Sequence, residues 1–511
     1  MGTDADRKEA FGGPGIPPRW THGAKDGVGT AYASSSRLWF TIWNGVVTEV
    51  YYPTVDRPQL RDLQFLVTDG ETFFHEEKRH LRSRTERLSH HVLGYKITNS
   101  DPEGRYSIVK EVLSDPHLPC LLVNTILSGE EPFLNRLRLY ALCAPHLGMG
   151  GWGNNARVVE IAGRKILTAE KDGVWLALAA TVPFSRLSCG YVGRSDGWTD
   201  LASDYRMDWE FDRATDGNLA LTGELDLGDR REFAMGLAFG DGLHNAATTL
   251  LESLAVPFGE QRERYTDQWN RSCRRLLPLE KAASDGGDLY HGSYSLLLAH
   301  EDKTYPGAFI ASLSIPWGES KDDDDRGGYH LVWTRDLVNT ATGLLAAGNT
   351  ESPLRALIYL AVSRQADGGF SQNFWIDGEP YWRGVPRACP VRDPEGGRSR
   401  HRGLPARAGC RAQGGHSGRP VLAAVQPRRV RAERGWRAVH RVWEGTRVAS
   451  PHRGAGGGIT SWPPDGRRVR SFGRWRASPP RPGCCRNRSG TSRTVRISTC
   501  TWGGPPVPPG R

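Results

Sequence analysis

A β-sandwich followed by the opening of an α-helical domain is the fold class that these 511 residues predict, and three observations carry it. Hydropathy alternates with period two from about residue 37 to 240, recurs at helical spacing from 243 to 362, and gives way to a different composition near residue 385. Many short strands at close spacing, with turn residues between them, favour a sandwich over a parallel sheet. Length alone predicts two or more domains.

The first strands lie in RLWFTIWNGVVTEVYYP, where Leu38, Phe40 and Ile42 alternate up to Asn44-Gly45. That dipeptide tolerates the positive φ angles of a tight hairpin, and Val46, Thr48, Val50 and Tyr52 resume the pattern beyond it. YSIVKEVL, CLLVNTIL, RLRLYALC and REFAMGLAFG continue the set, the last with Phe233, Met235, Leu237 and Phe239 on one face. The sandwich is expected over residues 9–240.

Past Gly240 the period becomes helical. LHNAATTLLESLAV and GEQRERYTDQWNRSCRRL read as a helical linker over 241–284, and DLYHGSYSLLLAHE as a helix opening the next domain over 285–385. A helix over 337–347 places Leu337, Val338, Ala341, Leu344 and Leu345 on one stripe and stops at Gly348, a left-handed C-terminal cap. The next one takes Ser352 as N-cap and Pro353 at its first position, with Leu354, Leu357, Ile358, Ala361 and Val362 as the face to bury. The short connector makes these two helices antiparallel neighbours. They need further helices to cover them, and none comparable follows.

Charge and composition split at the same place. Residues 386–511 hold 27 Arg and no Lys against 5 acidic residues, a balance of +22, which leaves −12 for the residues before them out of +10 overall. With two Leu, two Ile and one Phe, that segment cannot bury enough apolar surface to offset chain entropy, so a disordered basic tail is expected. The cysteines show no CxxC or Cys/His ligand spacing, so neither a zinc site nor a disulfide framework is expected. The opening MGTDADRKEAFGG has no apolar signal region and no apolar run reaches about 18 residues, which predicts a soluble, cytoplasmic protein without membrane partners.

One stretch carries chemistry: GGYHLVWTRDLVNT, residues 327–340. Asp336 precedes an apolar-periodic helix, so its carboxylate can serve as N-cap at the positive helix end. The same geometry suits a sugar. Asp336 and Arg335 supply hydroxyl acceptors and donors, while Tyr329 and Trp333 supply aromatic faces for stacking, and these aromatics can equally be core. His330 has no partner at catalytic or metal spacing and reads as structural. The run KDDDDR at 321–326 lacks the alternating ligand positions of a calcium loop and reads as a solvated loop.

Together with GAFIASLSIPWG before it, DGGFSQNFWIDGEPYW after it and the opening AFGGPGIPPRWTHGAKDGVGT, this stretch resembles the bacterial glucoamylase and glucodextranase branch of glycoside hydrolase family fifteen, over about residues 9–385. The resemblance implies an (α/α)6 barrel after the sandwich, here truncated. It implies that Arg335 and Asp336 bind the non-reducing terminal glucose, that Tyr329 and Trp333 line the innermost subsite, and that Trp382 adds an aromatic wall. The implied partner is an α-glucan or oligosaccharide, without a cofactor. Specificity for α-1,4 links, for α-1,6 links (glucodextranase) or for trehalose stays open.

Inverting hydrolysis needs a carboxylic acid for the leaving oxygen and a carboxylate base for water, about 6.5–9.5 Å apart. The family's two glutamates follow the PYW segment, where this chain reads PRACPVRDPEGGRSRHRG. Glu395, Glu433 and Glu444 stand in no family-like context, so no catalytic residue is assigned and the chain is expected to be inactive. An Arg-, Gly- and Pro-rich run without Lys is what a GC-rich gene yields in a wrong frame, and a frameshift near codon 385 is expected. Translating the DNA in its other two frames should then restore Leu-rich helices and glutamates. A genuine tail binding nucleic acid through Arg and Trp is the competing reading, less favoured because RGG-type repeats are absent. A non-catalytic glycan-binding protein is the third.

Overall fold

The computed structural model describes residues 8–366 and 368–381. The expected tail at 386–511, with Glu395, Glu433 and Glu444, lies outside the described residues, and so does Trp382.

Two antiparallel sheets face each other. One has eight strands; seven run, edge to edge, Gly27–Thr30, Trp39–Trp43, Val46–Tyr51, Leu60–Thr68, Arg138–Pro145, Leu219–Leu225 and Phe184–Tyr191, and Phe74–Glu76 pairs beside Leu60–Thr68. The other has nine: Arg213–Gly217, Asn154–Ile161, Arg164–Lys171, Val174–Ala180, Glu232–Gly240, Cys120–Gly129, Tyr106–Ser114, Val92–Ser100 and Arg82–Ser89. Aromatic pairs bridge the layers, Phe65 on Phe233 at 5.9 Å and Phe40 on Tyr95 at 6.3 Å between ring centroids. The hairpin at Asn44-Gly45 is as expected. Both residues take positive φ, 47° and 80°, and Trp43 pairs with Val46.

The segment 241–284 forms helices Leu243–Ala255 and Phe258–Ser272, which lie against the sandwich. Tyr265 and Trp269 are buried, and the Tyr265 hydroxyl sits 2.8 Å from the carbonyls of Thr30 and Leu93. Trp269 Nε1 donates to Thr30 O at 3.1 Å. Around the Asp115 carboxylate, Ser253 and Gln261 donate at 2.7 and 2.8 Å, which ties both helices to the turn after strand Tyr106–Ser114.

Helix Asp288–Ala299 then leads into a long irregular run across the sandwich. Asp302 Oδ2 accepts the Val55 amide at 2.9 Å, and Lys303 Nζ donates to Thr30 Oγ1 at 2.6 Å while sitting 4.7 Å from the Trp39 ring. Tyr51 Oη donates to Leu313 O at 2.5 Å, Trp20 Nε1 to Asp323 O at 2.7 Å and Arg326 Nη1 to Met149 O at 3.1 Å. These contacts set the 301–331 run on the sandwich and fix where the site lies.

The helical hairpin departs from expectation at both N-termini. The first helix runs Thr334–Ala346 with Trp333 at the cap position, so Asp336 is in the first turn and makes no capping hydrogen bond. The cause is the short ladder before it: Val332–Trp333 pairs with Asn373–Phe374, Thr334 N donates to Gln372 O at 3.1 Å, and the helix starts where that ladder stops. The second helix runs Glu351–Val362, and Asn349 rather than Ser352 caps it, its Oδ1 accepting the Glu351 and Ser352 amides at 3.0 Å each. Pro353 sits in the first turn, where an N–H has no helical partner anyway. Gly348 does end the first helix as read, with φ +96° and amides of Gly348 and Asn349 returning to Leu345 O and Leu344 O at 3.0 Å.

The face marked for burial on the second helix is exposed. Leu354, Leu357, Ile358 and Val362 are 51, 40, 55 and 80% exposed, while Ser352 and Ala356 are buried.

Candidate functional site

Gly327 takes φ +68°, a left-handed turn that an L side chain rarely adopts, and swings the 328–331 segment under Trp317. Trp333 is half-buried, with Nε1 donating to Gly328 O at 2.7 Å. Tyr329 is exposed. Arg335 is 81% exposed at its side chain, and its Nη2 lies 3.4 Å from Asp336 Oδ2. The four described residues that the sequence singled out thus share one turn and one helix start. The short ladder at Val332–Trp333 brings the 371–381 segment against them.

Beside this turn lies a cavity of about 1080 Å3. None of Tyr329, Trp333, Arg335 and Asp336 lines it, but their neighbours Gly327, Gly328, His330 and Leu331 do. One wall comes from the sandwich: Arg37, Thr54, Asp56, Arg57 and Met149. The opposite wall carries Trp317, Trp375 and Tyr381, the last two edge-to-face at 5.0 Å.

His330 is buried, and its role is structural at Nε2, 3.2 Å from Tyr51 Oη. Because Tyr51 gives its proton to Leu313 O, Nε2 must donate and Nδ1 keeps a lone pair, which has no partner among the described residues. Burial, aided by the nearby Arg326 charge, lowers the imidazole to about 4, so it is neutral at pH 7. Burial raises the Asp56 carboxyl, against a 2.6 Å hydrogen bond from Thr54 Oγ1.

The KDDDDR run is more than a solvated loop. Asp323 is buried, its Oδ2 accepting the Gly151 amide at 2.5 Å. Asp325 accepts from Trp317 Nε1 at 2.8 Å and Lys321 Nζ at 2.6 Å, which hold its carboxyl below the usual range and set the Trp317 ring. Among the described residues no group of three or more His, Cys, Asp or Glu could hold a metal ion.

Sequence reasoning missed Trp375 and the sandwich residues. Trp375 stood inside the quoted DGGFSQNFWIDGEPYW and was available; Arg37, Asp56 and Arg57 are 260 or more residues from their opposite wall and carry no local signal.

Two stacked sheets, helices leaning on them and an Arg-Asp turn beside a cavity with an aromatic side define a sheet-rich domain joined to the start of a helical one. The chain belongs to the family described as "Glucodextranase, domain N", whose model matches residues 10–274, and the model "Glycosyl hydrolases family 15" matches residues 285–367. It is 38% identical over 376 residues to a glucoamylase of Clostridium sp. (strain G0005), covering 74% of this chain and 53% of that one. A crystal structure of a bacterial glucoamylase complexed with acarbose matches at TM-score 0.71 and 38% identity, over 74% of this chain and 56% of that chain. The chain thus spans about half the length of the relatives it matches. No helix among the described residues is long and apolar enough to cross a membrane.

Proposed function

We propose that this chain derives from an exo-acting, inverting α-glucosidase of glucoamylase type, which releases glucose from the non-reducing ends of α-glucans, and that the chain itself binds such glucans without hydrolysing them. Arg335 and Asp336 hold the terminal glucose and Tyr329 and Trp333 line the innermost position; the aromatic wall that the resemblance assigns to Trp382 falls outside the described residues. The observation that carries this reading is the pairing of Val332–Trp333 with Asn373–Phe374, which gathers two family-like segments around the Arg-Asp pair. The domain plan that goes with it is a sandwich at 9–240, a linker at 241–284, the first part of an (α/α)6 barrel at 285–385, and an out-of-frame remainder. The 38% identity to a protein named glucoamylase supports α-1,4 over the glucodextranase or trehalase alternatives.

Lack of turnover would follow because an inverting pair needs two carboxyl groups, and the Arg335–Asp336 turn offers one. Incubating the full chain with maltoheptaose and assaying glucose checks this. No release above a heat-killed control is expected, together with retention on a starch matrix; steady glucose release would contradict it.

A further inference from the structure

We infer that the sandwich forms part of the glucan site, with Arg37 and Arg57 gripping the sugar units beyond the terminal glucose. The inference rests on the function proposed above and adds residues from the sandwich that sequence reading did not single out.

Three features of the cavity point the same way. Its lining carries four cationic side chains and four carboxylates, so no net field selects an ion, and a neutral polyhydroxyl ligand fits better than a phosphate or an amine. Trp317, Trp375 and Tyr381 offer ring faces or edges along one side, as sugar stacking requires. The third feature is unused hydrogen-bonding capacity. The buried His330 lines the cavity, and its Nδ1 has no hydrogen-bond partner among the described residues. Opposite it, Arg37 and Arg57 are exposed and make no side-chain hydrogen bond or salt bridge among the described residues.

The loop that presents Arg57 is held firmly. Tyr52 N donates to Arg57 O at 3.1 Å, Arg57 N to Thr54 O at 3.2 Å, and the next residue, Pro58, bridges to Tyr51. Val55 of the same loop is also held, its amide donating to Asp302 Oδ2 at 2.9 Å. A guanidinium on a fixed loop, without an internal partner, has its donors open to a ligand.

The test titrates maltose and maltoheptaose into the full chain by calorimetry, comparing wild type, the double variant R37A/R57A and R335A. The double variant should bind maltoheptaose about tenfold or more weakly, as loss of charged donors implies, with maltose affinity and melting temperature as in wild type. If wild type binds and R335A does not, but R37A/R57A binds maltoheptaose as wild type does, the inference is overturned and the proposed function stands. If wild type binds neither sugar, both are overturned. Should the double variant melt early, Arg57→Gln alone decides by the same affinity comparison.

Discussion

Among the described residues, the polar contact of Arg335 is to its neighbour's carboxylate, at 3.4 Å and largely in water, so the fold gains almost nothing from it. Replacing it with Ala should leave unfolding free energy within about 0.5 kcal/mol of wild type, which makes any loss of sugar binding a site effect. Buried histidines behave oppositely. His330 is lowered to about 4 and His146 to about 3, in both cases first by burial. Unfolded histidines take protons near pH 6.5, so the folded state holds fewer protons between that pH and its own lower values. Stability is therefore intact above about pH 6.5 and falls as pH drops toward 4 and 3, by up to a few kcal/mol per group. Urea midpoints measured from pH 7 to 4 should decline, and His146→Gln, which stays neutral, should flatten that decline; an unchanged slope would count against it. Residue identities at the Arg-Asp turn were open to sequence reading because chemistry and spacing coincide there. The partners of His330 were not, since Tyr51 lies 279 positions away.

Helices and strands were readable to different depths. Asn44-Gly45 and Gly348 behave as their local chemistry dictates, because a positive φ is decided within two or three residues. The helix starts were misread by a few positions, since a short ladder and the side chain of Asn349 won over Asp336 and Ser352. Apolar stripes name a face, not its partner. On Glu351–Val362 the stripe of Leu354, Leu357, Ile358 and Val362 stands exposed, and so large an apolar strip favours self-association. Changing Leu357 and Ile358 together to Gln should raise soluble yield while shifting the unfolding free energy by less than about 1 kcal/mol. A fall of several kcal/mol would mean that the stripe is covered.

At the level of the molecule, the helices Leu243–Ala255 and Phe258–Ser272 and the 301–331 run are bonded to the sandwich through Tyr265, Trp269, Asp302 and Tyr51. The order of the two regions was visible in the switch of period from two to 3.6. Their joint cavity was not, because it is made by side chains from distant positions converging at the end of a sheet. The central claim is a sugar-binding wall retained without the carboxylates it serves. Calorimetric titration of maltoheptaose into the full chain and into R335A tests it most directly. Saturable heat from the wild type, lost in R335A and accompanied by no glucose in the cell, is the predicted result; equal binding by both proteins, or none by the wild type, would contradict the account.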